Sequence, residues 1–315
     1  MYKRQSSAVW TPTPGTSNVR LGVNAGNSIA SGGNYNVFIG DEAGTAMQTG
    51  DNNVAVGYNA LATEDAHGRN VAIGKGALNV LNAGADGNNV AVGYNTGGAL
   101  TTGTGNTLLG SEAGDAFDVG NSNVGIGLYA LTTDTKGDRA VAIGLNALAT
   151  QNFTTTTDNY NVGVGYQAGH AITTGINNTL IGGLAGDVLT DADHNVAVGQ
   201  NALTADTYGS KSTAIGHSAL EAQNFTSATS AYNTAVGSDS GKAITTGIQN
   251  TLIGSSAGDA ITIGRYNTAL GYEALSTDID GDNSVAVGYQ ALYTQESDGV
   301  NQGIYNVAVG YQAGK

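Results

Sequence analysis

One short motif recurs 17 times between Asn18 and Gly314: Asn, then usually Val or Thr, a small or apolar residue, a branched aliphatic, Gly, two variable residues, Ala, and finally Leu or Gly. The glycine after the aliphatic most often returns after 17 residues, as at Gly40, Gly57 and Gly74. A slower period is marked by Gly22, Gly93, Gly165, Gly237 and Gly310, which are 71, 72, 72 and 73 residues apart. The chain therefore reads as four blocks of four units, the fourth unit of each being longer, followed by the start of a fifth block. A helix pair needs about 33 residues and a propeller blade about 40. A 17-residue unit fits neither, and matches one coil of an all-β, parallel β-solenoid of about 17 coils.

Local chemistry agrees with that reading. Asn53-Val-Ala-Val-Gly57 and Asn306-Val-Ala-Val-Gly310 are Val-rich runs closed by turn residues, which is a strand signal. A weaker second strand is expected at Ala171–Thr174 and its equivalents. The 49 glycines mark a periodic demand for special backbone geometry. Proline is absent from Gly15 onward, as continuous backbone pairing requires. Stacked coils would set Asn over Asn in hydrogen-bonded ladders. Layers spaced by about 4.8 Å give a rod of roughly 80 Å.

Alternation along a strand places the two Val side chains of each motif on one face and the central residue on the other. With Val54 and Val56 assigned to the coil interior, Ala55, Leu108, Leu180 and Leu252 face outward. A strand that is apolar on both faces is buried on both. The second face is thus expected to meet further copies of the chain, in a homotrimer.

The run Asn306-Val-Ala-Val-Gly-Tyr-Gln-Ala-Gly314, with Ser284-Val-Ala-Val-Gly288 and Ser212-Thr-Ala-Ile-Gly216, resembles the head repeats of trimeric autotransporter adhesins. The Asn-Thr-Leu-Ile-Gly and Asn-Val-Ala-Val-Gly-Tyr units are also similar to repeats of phage-type tail fibres. The likeness spans about residues 18–314. It implies a left-handed β-roll wound by three chains, extracellular, on a bacterial cell surface or in a virion tail fibre. The departures are a unit longer than that of adhesin heads and the lack of stalk heptads or a chaperone domain within these 315 residues.

A net charge of −14 repels phosphate backbones and anionic lipid, which excludes nucleic acid as the main partner. No segment approaches the roughly 18 consecutive apolar residues of a membrane span, so no membrane insertion is expected. Residues 1–17, with Pro12 and Pro14, read as an extended N-terminal segment before a repeat domain over 18–315. The last motif ends uncapped at Gly314-Lys315, from which the natural polypeptide is expected to continue.

No catalytic, cofactor or metal site is read from the sequence. His67, His170, His194 and His217 are not at ligand spacing and read as solvated coil-edge residues. Asp278-Ile-Asp280-Gly-Asp282-Asn283 has alternate oxygen ligands but lacks the distal Glu of an EF-hand, and reads as a solvated acidic loop. Asp115, Asp187 and Asp259 recur in register as turn residues and solubilising charge. The tyrosines after the motif glycine, such as Tyr58, Tyr94 and Tyr166, read as repeat-packing residues, with sugar stacking as the alternative.

The long fourth units carry polar inserts, Gln151–Asp158 and Gln223–Ser230, with a divergent one at 295–303. Loops held on a rigid scaffold are where recognition usually resides. Asn152, Phe153, Thr154, Asn224, Phe225 and Thr226 are the candidate ligand-contact residues, with the two rings stacking on a sugar or a surface protein. Asn152 and Asn224 also head glycosylation sequons. The expected function is a non-enzymatic, structural and adhesive fibre whose partners are itself and a cell-surface glycan or surface protein. The alternatives are an ice-binding solenoid, for which the Thr column through Thr107, Thr179 and Thr251 is interrupted, and a polysaccharide-processing fibre enzyme.

Overall fold

A computed structural model describes residues 15–297 and 302–315. Most of the expected N-terminal segment, including Pro12 and Pro14, lies outside the described residues, as do residues 298–301 of the last insert. All regular structure among the described residues is strand. No helix among them is long and apolar enough to cross a membrane.

The chain forms two compact units, Met1–Asn146 with Thr150–Asp158, and Ala147–Ala149 with Asn159–Lys315. The first holds eight three-residue strands, from Val19–Leu21 to Val141–Ile143, and the second nine, from Val162–Val164 to Val307–Val309. Each strand is one copy of the motif. Within each unit successive strands pair in parallel without slip: Val54 lies against Val71, Ala55 against Ala72 and Val56 against Ile73. Both units are parallel β-solenoids with a period of about 17 residues, as the repeat requires.

The motif glycine has a defined task. Gly57 adopts φ +135°, a region closed to side chains, and a Cβ there would sit 2.5 Å from the carbonyl oxygen of Gly74 in the next coil. The backbone turns the corner of each coil with glycine stacked on glycine, and no other residue fits.

The Asn ladder forms, with a bonding pattern that joins coil to coil and closes each coil on itself. Asn106 Nδ2 donates to the Gly120 carbonyl of its own coil at 2.8 Å, while its Oδ1 accepts the backbone N–H of Asn123 in the next coil at 2.9 Å. Asn89 and Asn250 repeat the arrangement, and all of these side chains are fully buried. One residue thus satisfies a turn carbonyl and an interior N–H that would otherwise each cost about 1–3 kcal/mol unpaired.

The orientation of the strands is the reverse of the expected one. Ala55, Leu108, Leu180 and Leu252, expected outside, are fully buried. Val54 and Val56, expected to fill the interior, are half-exposed on the outer face. The reason is volume. The interior is filled by large side chains from the turns, among them Met47, Leu100, Phe117, Ile172 and Leu189, all fully buried. That leaves the central strand position room for Ala in most coils and for Leu or Phe in few.

The choice of Ala-Leu or Ala-Gly at the motif's end follows the same rule. Leu148 and Leu220 are buried at φ 48° and 50°, the left-handed region, in the place that Gly169 and Gly241 take in the coils that follow. A Cβ on Gly169 would lie 2.7 Å from both Leu148 Cδ2 and Leu180 Cδ1. The leucine of one coil occupies the space left by the glycine of the next. The expected second strand at Ala171–Thr174 is instead a turn, with Ile172 pointing inward. Ala171 and Thr173 nevertheless donate their N–H groups to the next coil, at Asp187 and Thr190.

Candidate ligand-binding inserts

Each long fourth unit is anchored on a buried carboxylate in the coil before it. Asp134 is fully buried and accepts from Gln151 Nε2 at 2.6 Å and from the N–H of Gly137 at 3.0 Å. Asp206 accepts likewise from Gln223 at 2.6 Å, from Gly209 at 3.0 Å and from the N–H of Phe225 at 3.1 Å. Asp278 accepts from Gln295 at 2.5 Å, Gly281 at 3.1 Å and the hydroxyl of Ser297 at 2.9 Å. Asp278 is therefore a buried structural acid rather than part of a solvated loop. In the first block Glu64 stands in the same place, buried and accepting from the N–H groups of His67 and Ala83. Burial raises the pKa of Asp134 and Asp206, and the hydrogen bonds, led by the Gln amides, oppose that rise only in part.

Around this anchor the insert is ordered. Gly137–Asp138 pairs in parallel with Thr157–Asp158, Gly209–Ser210 with Thr229–Ser230, and Gly281–Asp282 with Gln302–Gly303. Sequence patterning has no means of finding a two-residue strand. The paired glycine is obligatory: a Cβ on Gly209 would meet Asp206 Oδ2 at 2.0 Å and Phe225 Cδ2 at 2.8 Å.

The six candidate contact residues separate into two groups. Asn152, Thr154, Asn224 and Thr226 are exposed. Phe153 and Phe225 are only 5% and 6% exposed, so their rings present no stacking face. The expected stacking role is corrected accordingly. Asn152 and Asn224 are steadied from the preceding coil, where the hydroxyls of Thr135 and Thr207 donate to their Oδ1 atoms at 3.0 and 3.3 Å.

The exposed aromatics lie elsewhere. Tyr58, Tyr94, Tyr166, Tyr272, Tyr289 and Tyr311 are 41–73% exposed. Tyr272 and Tyr289 stack with centroids 5.5 Å apart, and Tyr289 and Tyr311 at 5.2 Å, so these rings pack on one another along successive coils while keeping a face or edge in water. A second set, Tyr160, Tyr232 and Tyr305, stands exposed at positive φ immediately after the inserts. Sequence reasoning passed over this set because it precedes the motif Asn instead of following the motif Gly. The recurrent acids Asp115 and Asp259 accept from Thr132 and Ser276 of the next coil, both at 2.6 Å, and Asp187 accepts from Thr204. They join neighbouring coils in addition to carrying charge.

Neither a scan against models of known protein families nor a comparison with curated sequences finds a match for this chain.

Proposed function

We propose that this chain is the structural and adhesive repeat domain of a homotrimeric extracellular fibre, in a virion tail or on a bacterial surface. It attaches to a glycan or surface protein through the inserts and does no chemistry itself. The observation that carries the reading is the outer sheet face. The first and third residues of every strand, such as Val71 and Ile73, Val141 and Ile143, or Thr213 and Ile215, point outward, and Ile73, Ile143, Ile181, Ile215, Ile253 and Leu270 are 37–45% exposed. A continuous ladder of aliphatic residues and Thr is a surface that soluble chains normally cover. Copies of the same chain are the simplest cover, because the ladder repeats with one spacing in each unit and meets its equal in register. The test is an Asp placed at Ile215 or Ile253. In a trimer closed by this face the substitution splits the assembly while each chain keeps its β circular dichroism spectrum; an unchanged assembly would reject this face as the interface.

One observation favours a second reading. In the second unit Thr213, Thr234, Thr251 and Thr268 occupy the first strand position of four consecutive coils, each beside an aliphatic at the third. A flat Thr column of this kind suits an ice surface. Thermal hysteresis, or inhibition of ice recrystallisation, by the intact chain would favour that reading over the adhesive one.

A further inference from the structure

The three described insert pairs share one backbone and differ in charge. In the second block Arg139 stands next to the pair, which carries Asp138 and Asp158, and Arg139 forms an ion pair with Asp158. In the fourth block Asn283 takes the place of the cation and Asp282 remains. In the third block the cation is kept, as Lys211, and both acids are replaced, by Ser210 and Ser230. Lys211 is exposed there, and its Nζ donates to Ser230 Oγ at 3.0 Å and to the Tyr232 hydroxyl at 3.1 Å. A cavity of about 340 Å³ opens beside it, lined by Asp193, His194, Ser210, Lys211, Thr229 and Ser230.

We infer that this cavity is a binding site for an acidic sugar, its carboxylate or sulfate held by Lys211 and its hydroxyls by Ser230, Tyr232 and Asp193. The inference rests on the reading of the inserts as the attachment region and names the ligand class of one of them. The chemistry is specific. Among the described residues the ammonium of Lys211 hydrogen-bonds only to neutral hydroxyls, those of Ser230 and Tyr232, and an incoming anion makes a charge-assisted bond that those hydroxyls do not supply. Asp193 accepts the N–H of Ile176 through Oδ1 at 2.8 Å, and its carboxylate lines the cavity as an acceptor for sugar hydroxyls. A bare inorganic anion gains nothing from a neighbouring carboxylate, whereas a polyhydroxylated acid uses both. The Tyr232 ring is half-exposed, with Lys211 Nζ 5.1 Å from its centroid. Lys211 also lowers the pKa of the Tyr232 phenol, first by hydrogen bonding, to which Ser230 adds.

The experiment uses the full chain, with sialyllactose, sulfated lactose, lactose and inorganic sulfate as probes in calorimetry or biolayer interferometry. The two acidic sugars should bind at least about tenfold more tightly than lactose or sulfate, the size of one charge-assisted contact. Lys211→Gln should remove that preference. Ser230→Asp, which restores the neutralised arrangement of the second block at an exposed position, should remove it too without affecting the fold. Equal binding of lactose, equal binding of free sulfate, or an unchanged preference in Lys211→Gln would each overturn the site. Attachment to neutral glycans that survives Lys211→Gln would refute this site and leave the adhesive function standing; a wild-type chain that attaches to no glycan and no cell surface would remove the adhesive function as well.

Discussion

Gln223 Nε2 lies 2.6 Å from Asp206 Oδ2, one coil away, with both side chains fully buried. The pair recurs as Gln151 with Asp134 and Gln295 with Asp278, and it ties the long unit of the second, third and fourth blocks to the coil before it. Gln223→Leu leaves the Asp206 carboxylate buried and short of its strongest donor, at a cost of about 1–3 kcal/mol. Chemical denaturation of the variant should show a loss in that range, with local exchange of amides near Gly209 and Phe225 rising first.

The same carboxylate predicts a pH dependence. Asp206 has its folded-state pKa raised above the usual carboxylate value, chiefly by burial. The folded state therefore binds its proton more tightly than the unfolded state. The stability this confers is fully present below the ordinary carboxylate pKa and is lost as pH rises through the raised folded value. Asp134 behaves alike. Melting temperature measured from acid toward neutral pH should fall across this window, and Asp134→Asn with Asp206→Asn should flatten that fall.

Volume exchange between coils gives a third expectation. Leu148 fills the space above Gly169, so Leu148→Ala leaves a cavity worth about 2–5 kcal/mol. Gly169→Leu, which copies the sequence of the preceding coil, drives a second side chain into the same volume and should be worse. The double variant should recover part of the loss, as a double-mutant cycle would reveal.

Cutting the insert 223–230 back to the length of a 17-residue unit removes the exposed Asn224 and Thr226 together with Phe225, whose N–H donates to Asp206. The trimmed chain should keep its β spectrum with a lower melting temperature and lose attachment to its target. Undiminished attachment would place recognition elsewhere, with the exposed tyrosine row as the next candidate.

The period, the parallel strands and the Asn ladder were legible in the sequence because each rests on one residue type with one backbone demand, as Gly57 at φ +135° shows. The direction of the strand faces was not. Hydrophobicity ranks Val54 above Ala55 for burial, but the turns had already filled the interior with residues such as Met47 and Phe117, and a sequence pattern carries no account of volume across coils. The inserts were legible as departures from the period, while the place of Phe153 was not. Polar neighbours made it read as a projecting ring, and the acid that accepts its N–H, Asp134, lies one coil back. The charge difference between the second and third inserts was visible only after register set Asp158 against Asp138 and Ser230 against Ser210.

The central claim is that the outer ladder of Val, Ile and Thr is covered by two further copies of the same chain. Light scattering coupled to size-exclusion chromatography, on the wild-type chain and on Ile215→Asp, measures this most directly. The account predicts a wild-type mass three times the 31.5 kDa of one chain and a single-chain mass for the variant. A wild-type mass of one chain in dilute buffer, with the β spectrum intact, would contradict it.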